Sequence, residues 1–537
     1  MRTRVGTEDG HSLAATDAFA DLTVVARGGL LNLAGVIANS AAGFLLVVVV
    51  TRGLGKTDAG IFFESVALFS ILGAISQWGA DTGVVRTIPR YLLQGRRKDI
   101  RHAIEAGIVP AFVAGTVAAV VMFVFAEPLG RLLTNGAHGA DLAPALRVLA
   151  PFLPLFAAYM VGLAVTRGFG TMLPSNLIDK LGRALAQPVL VAAGIALGLT
   201  GFGLAAAWAI PFAVGFVAVV VWTRRLLKNA YRDAVLPEDD ARPFSVVMRE
   251  FWRFTGPRGL AGVFAVVVVW LDVLLIGALR SPAEAAAYAA ATRFLVFGQF
   301  IGVAITQVVG PKLSELLTSG DRRRARSVYS TATWWLMALA WPIYISMIVL
   351  APSLLSVFGA GYQQSRMVLV ILGTAMLVAT AVGPVDVVLL MAGRSFWNLT
   401  NTFVAVIANV GLNLLWIPRF GLTGAAAAWA VSILLNNLLP LVVVWSLVHL
   451  LPFGGGSLVS GLSALICFGG VGLVARNALG DGIATVLVTA IVGSAAHAAI
   501  LWRFRRTLHL EALGEAIRRR PTSSDAERSA ASSDGQG

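Results

Sequence analysis

The chain has 537 residues, of which 57% are hydrophobic and 13% are charged. Its mean hydropathy is +0.79, and because a soluble domain carries roughly a quarter charged residues, this composition excludes a soluble globular protein. The formal net charge of +14 is read first as membrane topology, since excess arginine in so apolar a chain sets orientation, and no nucleic acid partner is expected. Cys467 is the single cysteine, which excludes disulfides within the chain.

Apolar runs recur from Gly28 to Trp502, and each has about 18 residues or more, enough to cross a hydrocarbon core of roughly 30 Å as a helix. The sequence therefore predicts an all-α integral membrane protein with about fourteen transmembrane helices. We expect a cytoplasmic tail at 1–26 and a second one at 503–537 that is largely disordered. The predicted spans are 28–50, 60–80, 105–125, 146–166, 183–199, 202–222, 259–279, 286–309, 331–350, 367–391, 397–417, 422–445, 457–475 and 482–502.

Basic residues concentrate in the loops that follow even-numbered helices. Two of these loops resemble each other, "RYLLQGRRKDIRH" at 90–102 and "KLSELLTSGDRRRARSVY" at 312–329. Because cytoplasmic loops carry the excess of Lys and Arg, the loops that follow even-numbered helices are predicted to be cytoplasmic, and so are both termini. We expect a multi-pass protein of the bacterial cytoplasmic (inner) membrane, in contact with membrane lipids.

The two similar loops belong to a longer internal repeat. "KTDAGIFF" at 56–63 matches "PAEAAAYAA" at 282–290, and "GFGLAAAWA" at 201–209 matches "GLTGAAAAWA" at 421–430. The pattern predicts two six-helix lobes related by a pseudo-twofold axis along the membrane normal, an arrangement that usually encloses a substrate site near the midplane. The predicted units are an N-lobe (27–230), a cytoplasmic linker (231–257), a C-lobe (258–450) and two further helices (451–502).

Ionisable residues inside predicted spans are candidates for function because they are costly in lipid. Asp272 in helix 7 and Arg293 in helix 8 lie at similar predicted depth, so they form either a structural ion pair or part of a functional site. Arg52, at the outer end of helix 1, and Glu64, in helix 2, form a second candidate pair of the same kind. Asp81 lies towards a cytoplasmic end, where it is either a coupling residue or a side chain that snorkels to water.

Polar residues at helical spacing form one stripe on helix 8, which includes Gln299, and another on helix 11, which includes Asn409. Each stripe faces either a hydrated cavity or a neighbouring helix through hydrogen bonds. Arg27 and Arg258 stand at equivalent starts of the two lobes, where they either form cationic walls for an anionic head group or anchor the chain at the interface.

The sequence shows no arrangement typical of catalysis. The histidines are not at metal-ligand spacing, and we find neither a nucleophile elbow nor a placed pair of catalytic acids. We therefore predict a transporter rather than an enzyme, with no catalytic residue, no metal and no cofactor.

Three segments carry a family resemblance: "TRGLGKTDAGIFFESVALFSILGAISQWGADTGVVRTIPRYL" (51–92), "WLDVLLIGALRSPAEAAAYAAATRF" (270–294) and "NVGLNLLWIPRFGLTGAAAAWA" (409–430). With the repeat and the predicted spans, they make residues 25–505 similar to the polysaccharide transporter branch of the multidrug/oligosaccharidyl-lipid/polysaccharide (MOP) flippase superfamily. Their order and repetition carry the resemblance.

The resemblance implies a flippase that moves a polyprenyl-pyrophosphate-linked oligosaccharide between leaflets by alternating access. It also implies a cationic cavity for the head group, a lipid groove beside the last two helices, and cavity or lobe-opening roles for Arg27, Arg52, Arg258 and Arg293. A polysaccharide polymerase or glycosyltransferases are possible partners. The alternatives are a lipid II flippase, a drug/cation antiporter, a polytopic glycosyltransferase and a membrane scaffold.

Overall fold

The computed structural model describes residues 34–232 and 242–509. Arg27, the predicted tail at 1–26 and residues 510–537 lie outside these ranges. Every regular element within them is a helix, as the sequence predicts.

Twenty α-helices follow one another in the described residues, joined in places by short π- and 3₁₀-helical segments. The first ten are α1 (Ala34–Gly53), α2 (Lys56–Gln77), α3 (Ala80–Leu93), α4 (Arg97–Val124), α5 (Ala126–Leu133), α6 (Gly139–Leu149), α7 (Phe152–Gly168), α8 (Ala184–Ala196, after a π-helical segment at Ser175–Arg183), α9 (Phe202–Arg232) and α10 (Phe244–Leu279). The second ten are α11 (Pro282–Thr292), α12 (Leu295–Thr318), α13 (Arg322–Val349), α14 (Ala351–Leu355, before 3₁₀ turns at Ser356–Phe358 and Tyr362–Ser365), α15 (Arg366–Ala381), α16 (Val385–Met391), α17 (Ser395–Val448), α18 (Gly455–Ala464, before a π-helical segment at Leu465–Gly470), α19 (Val471–Leu479) and α20 (Ile483–Arg503).

Eleven helices in the described ranges are long and apolar enough to cross a membrane, and twelve if α6 and α7, bent by 48°, form one span. A multi-span helical membrane protein is therefore confirmed, while the count of fourteen stays a prediction. The predicted span at 183–199 corresponds to α8, which has only 13 residues and continues from the π-helical segment.

Two predicted spans, 397–417 and 422–445, both lie within α17. The helix breaks at Gly421, whose φ of 55° is in the left-handed region that glycine adopts readily. Asn401 donates from Nδ2 to the side-chain oxygen of Asn436 at 3.1 Å, and Ser432 donates to the carbonyl oxygen of Ala405 at 2.7 Å. Because both bonds join residues on opposite sides of Gly421 in reverse order, the halves of α17 lie antiparallel as a hairpin.

The two similar basic loops have the same backbone plan. In each loop a glycine lies two residues after the last residue of the preceding helix: Gly95 follows α3 with a left-handed φ of 70°, and Gly320 follows α12 with a left-handed φ of 76°. The next helices, α4 and α13, each begin two residues after that glycine. In the second loop the side chain of Asp321 caps α13 by accepting a bond from the N–H of Arg324 at 3.0 Å, which satisfies one orphan donor of the first turn.

The largest buried apolar cluster includes residues of both predicted lobes, for example Phe69 of α2, Tyr288 of α11 and Ala425 of α17. Contact there is close: a Cβ on Gly60 would clash with the backbone of Pro282. A second cluster joins α3, α4 and α7 to the start of α10, and a third joins α12, α13 and α16 to the end of α17. The predicted lobes thus share one core, and each has a further cluster.

The predicted linker at 231–257 is helical from Phe244 onwards, as the first turns of α10. Arg242 precedes this helix and bonds from Nε to Asp99 at 3.1 Å and from Nη1 to Glu250 at 2.9 Å. Phe251 is buried among residues of α3, α4 and α7. The start of α10 is therefore fixed to the first predicted lobe, although the helix continues to Asp272 in the second.

Candidate functional site

A cavity of about 330 Å³ lies among α1, α2, α7, α8 and α9 and is completed by Trp270 and Arg293. Its walls are largely aromatic, and it contains two arginines, Arg183 and Arg293, with one carboxylate, Asp179. The aromatic residues are Phe62, Phe63, Phe69, Phe156, Trp208, Phe212 and Trp270.

The Arg183 guanidinium has four partners in this cavity. Its Nε donates to Asp179 at 2.6 Å, Nη1 donates to Gln187 Oε1 at 2.9 Å, and Nη2 donates to Asn39 Oδ1 at 3.1 Å. Its central carbon lies 5.4 Å from the ring centroid of Phe212. The charge of Arg183 is therefore balanced and its donors are largely satisfied.

Sequence reasoning missed this cluster because it counted Arg183 among loop charges. Asp179, Arg183 and Gln187 are spaced by four residues, which is the repeat of one helical face and the signal that could have found them. The π-helical segment that carries Asp179 and Arg183 is a rare element that often occurs at functional sites.

Arg293 has a different environment in the same cavity. Its guanidinium carbon is 5.0 Å from the Trp270 ring centroid, and its buried Nε has no hydrogen-bond partner. The interpretation of Arg293 and Asp272 as a structural ion pair is wrong, because no salt bridge joins them in the described part of the chain. Arg293 is thus a cavity cation without an acidic partner among the described residues.

Asp272 lies in a fully buried polar cluster between α10, α11 and α17. Tyr288 donates from its hydroxyl to Oδ2 at 2.7 Å, and Asn413 donates from Nδ2 to Oδ1 at 2.7 Å. Asn409 is also buried, and both polar atoms of its side chain lack a hydrogen-bond partner. The polar stripe of helix 11 therefore meets Asp272, and hydrogen bonds rather than an ion pair hold this carboxylate.

Glu64 is completely buried in α2, and neither of its carboxylate oxygens has a hydrogen-bond partner. It lies against Gly277 of α10, where any Cβ would clash with Oε1. The predicted pairing of Glu64 with Arg52 is wrong, because Arg52 bonds to backbone carbonyls instead. Glu64 thus stands at a tight contact between the two predicted lobes.

Arg52 and Lys56 join the end of α1 and the start of α2 to the turns between α14 and α15. Arg52 donates from Nε to the carbonyl oxygen of Val357 at 2.7 Å and from Nη2 to that of Ser356 at 3.2 Å. Lys56 donates from Nζ to the carbonyl oxygen of Gly361 at 3.2 Å. We call these contacts the latch, since they connect segments more than three hundred residues apart.

The other predicted site residues are spread over the molecule. Arg258 is exposed and stacks on Phe254 at 4.0 Å, with Arg86 at 3.6 Å from the same ring. Asp81 is half-buried in the first turn of α3, a favourable place for a carboxylate beside a helix N-terminus. Gln299 is exposed on α12 and does not line the aromatic cavity.

An apolar groove of about 700 Å³ runs between α12, α13 and α20. Phe297, Pro342 and Met347 line one side, and Ala490 and His497 line the other. His497 is buried, with Nε2 2.9 Å from the carbonyl oxygen of Ala338 and Nδ1 3.0 Å from Ser463 Oγ. The polar atoms of the histidine ring are therefore occupied, and the groove offers mainly apolar surface.

Comparisons with known proteins agree with this architecture. The family described as "Polysaccharide biosynthesis protein" matches residues 25–317, and the family described as "MatE" matches residues 257–417. The chain is 22% identical over 407 residues to the "Probable low-salt glycan biosynthesis flippase Agl15" of Haloferax volcanii, covering 74% of this chain and 78% of the relative.

Solved structures share the fold. The lipid II flippase MurJ in an inward closed conformation superposes with a TM-score of 0.67 at 13% identity, covering 90% of this chain and 99% of that one. A multidrug resistance MATE family transporter of the MOP superfamily, in an inward-facing conformation, gives a TM-score of 0.57 at 16% identity, covering 75% and 93%. The chain belongs to the polysaccharide biosynthesis protein family, in the polysaccharide transporter branch of the MOP superfamily of membrane flippases.

Proposed function

We propose that this protein moves a polyprenyl-pyrophosphate-linked oligosaccharide from the inner to the outer leaflet of the bacterial cytoplasmic membrane by alternating access. The observation that carries the proposal is Arg293, a cavity cation with an unpartnered buried donor and no acidic partner among the described residues. Such a guanidinium is suited to a phosphate, which it binds through charge-assisted hydrogen bonds.

The aromatic walls of the cavity suit the sugar part of the same substrate. Phe62, Phe69, Phe156 and Trp208 present flat apolar faces, against which the apolar face of a pyranose ring can pack, with polar side chains to orient its hydroxyls. The cavity is smaller than an oligosaccharide, so we expect it to enlarge when one lobe moves relative to the other.

The groove beside α20 is the proposed path of the polyprenyl tail. It is lined mainly by apolar side chains, and its volume of about 700 Å³ holds several isoprene units. Phe294 and Phe297 line its edge, close in sequence to Arg293 in the aromatic cavity, so the phosphate and tail sites are close along the chain. This proximity supports a substrate whose head group and tail occupy separate sites.

Asp272 is the proposed coupling residue, since it is an intramembrane carboxylate held by Tyr288 and Asn413 beside the unsatisfied Asn409. A proton or Na⁺ could occupy this position, because oxygen ligands suit hard cations. The membrane potential is a further source of energy: moving about two net negative charges outward across about 150 mV releases roughly 7 kcal/mol.

The proposed orientation places both termini and the two basic loops in the cytoplasm, as the positive-inside bias indicates. In the cell, a polysaccharide polymerase or glycosyltransferases would then act before or after translocation. We infer these partners from the chemistry of a lipid-linked glycan.

The test is translocation of a labelled polyprenyl-pyrophosphate oligosaccharide in proteoliposomes, with and without an imposed potential. We expect transport by the wild type and an initial rate at least about tenfold lower in Arg293→Ala, a change of about 1.4 kcal/mol in the barrier. Arg147→Ala is the matched control, because it removes a half-buried arginine that pairs with Glu127 and does not line the cavity. If the wild type transports lipid II but not the oligosaccharide, the proposed substrate is wrong and the protein is a lipid II flippase instead.

A further inference from the structure

The environment of Arg183 is the one that a free cation would require. Asp179 supplies a carboxylate at 2.6 Å, Asn39 and Gln187 supply amide oxygens at 3.1 and 2.9 Å, and Phe212 supplies a ring face at 5.4 Å. Carboxylate, amide oxygen and aromatic face are the groups that bind organic ammonium and guanidinium ions.

More aromatic surface surrounds these ligands. The Phe212 ring centroid is 4.9 Å from that of Phe156, 5.2 Å from that of Trp208 and 5.9 Å from that of Phe69. Tyr159 donates from its hydroxyl to Asp179 at 3.1 Å. The carboxylate is therefore positioned from two directions at the edge of an aromatic box.

We propose that Arg183 is a tethered cation that fills a binding site for monovalent organic cations and thereby excludes such cations from the cavity. Its guanidinium takes the position among these ligands that a free cation would take. The negative charge of Asp179 is therefore already neutralised and does not attract a free cation. The selectivity part of this inference rests on the proposed function, because an anionic head group needs a cavity whose carboxylate is already neutralised.

The charges of the cavity also favour the exclusion of organic cations. Arg183 and Asp179 cancel, which leaves the charge of Arg293 to set the field inside the cavity. Removing the Arg183 side chain would expose the Asp179 carboxylate to the aromatic box and make room for a cation of similar size. Lys180 is next to Asp179 in the chain and within electrostatic range of it, but Lys180 does not line the cavity, so it does not fill the place that the Arg183 side chain would leave.

The experiment measures binding of ethidium, a planar aromatic monocation, to the purified full-length protein by fluorescence polarisation. We expect Arg183→Ala to bind ethidium at least about tenfold more tightly than the wild type, given the strength of desolvated cation–π contacts. Methylguanidinium, which mimics the removed side chain, should compete with ethidium in this variant. The double variant Arg183→Ala, Asp179→Asn should lose the gain.

Two matched variants separate this idea from simple enlargement or charge removal. Arg293→Ala removes the other arginine of the same cavity but leaves the Arg183 to Asp179 pair intact, so it should not gain ethidium binding. Arg183→Lys keeps a positive charge near Asp179 and should behave as the wild type. Equal gains in Arg293→Ala and Arg183→Ala would overturn the proposal, as would equal binding by the wild type.

Folding is controlled with Arg183→Gln, which is neutral but keeps an amide donor for Asp179. If Arg183→Ala is aggregated, Arg183→Gln should still gain binding, and methylguanidinium during purification should restore a monodisperse Arg183→Ala protein. Failure of every monodisperse neutral variant to bind ethidium contradicts the tethered cation. By contrast, a wild type that does not transport the lipid-linked glycan contradicts the proposed function and leaves the ethidium-binding result unaffected.

Discussion

Arg52 donates a hydrogen bond from Nε to the carbonyl oxygen of Val357 at 2.7 Å, which joins the end of α1 to the 3₁₀ turn after α14. No carboxylate takes part, although Glu64 is nearby in sequence and was the predicted partner. Hydrogen bonds from a charged donor contribute about 1.5–3 kcal/mol, so the latch can hold these two segments together while remaining reversible.

Arg52→Ala should weaken the latch and favour opening at this end of the bundle. The measurement is the thiol labelling rate of a cysteine introduced at Ser356 in a Cys467→Ser background, with and without Arg52→Ala. We expect labelling to rise severalfold, since the substitution removes both bonds to the turn. Arg419→Ala, at the turn of the α17 hairpin, is the control and should leave labelling unchanged.

Asp272→Asn should uncouple transport from its driving ion. The substitution keeps the size of the side chain but removes the negative charge that Tyr288 and Asn413 surround. In proteoliposomes with imposed proton or Na⁺ gradients, we expect wild-type transport to respond to one of them and Asp272→Asn to respond to neither. Tyr288→Phe removes one donor and should retain coupling with a weaker response. Full gradient dependence in a folded Asp272→Asn protein would refute this role.

Gly277→Ala should destabilise the protein, because the new methyl group would clash with the Glu64 carboxylate of α2 and, at 2.8 Å, with the backbone carbonyl oxygen of Leu133 in α5. We expect a loss of about 1–3 kcal/mol, as for overpacking in a core, seen as a lower midpoint of thermal unfolding. Gly262→Ala on the same helix is the matched control, since nothing lies within 4 Å of the added Cβ. It should be neutral or stabilising, because alanine favours a helix by up to about 1 kcal/mol over glycine.

The same contact can be tested with a double-mutant cycle. Glu64→Ala removes the carboxylate oxygen that the Gly277→Ala methyl group would strike. The combined variant should therefore be more stable than the sum of the two single effects, although the contact with the Leu133 carbonyl oxygen remains. Simple additivity would show that the cost comes from the contact with the Leu133 carbonyl oxygen instead.

Ala490→Trp should fill the groove beside α20 and slow transport if the lipid tail occupies it. Ala490 lines the groove, whereas Leu487 on the same helix is 54% exposed and does not line it. Leu487→Trp is therefore the matched control for bulk and expression. We expect at least about a tenfold lower rate for Ala490→Trp, about 1.4 kcal/mol, and a wild-type rate for Leu487→Trp.

The sequence by itself determined the class of protein and several local features. Apolar runs and sparse charge predict membrane helices because lipid leaves no other partner for backbone polar groups than the helix itself. The predicted likeness of the two basic loops agrees with their backbones, in which Gly95 and Gly320 both have a left-handed φ. These features depend on residues close in the chain, so a linear pattern is enough to predict them.

Only the tertiary structure decided which charges meet. Position along a span indicates depth in the membrane, which makes an ion pair of Asp272 with Arg293 one of two expectations, but depth does not specify which side of a helix faces which neighbour. Packing turned Asp272 towards Tyr288 and Asn413, stacked Arg293 on Trp270, and brought Asn39 to Arg183 from α1. Helix rotation and neighbour choice are set by close packing over the whole bundle, which no single stretch of sequence contains.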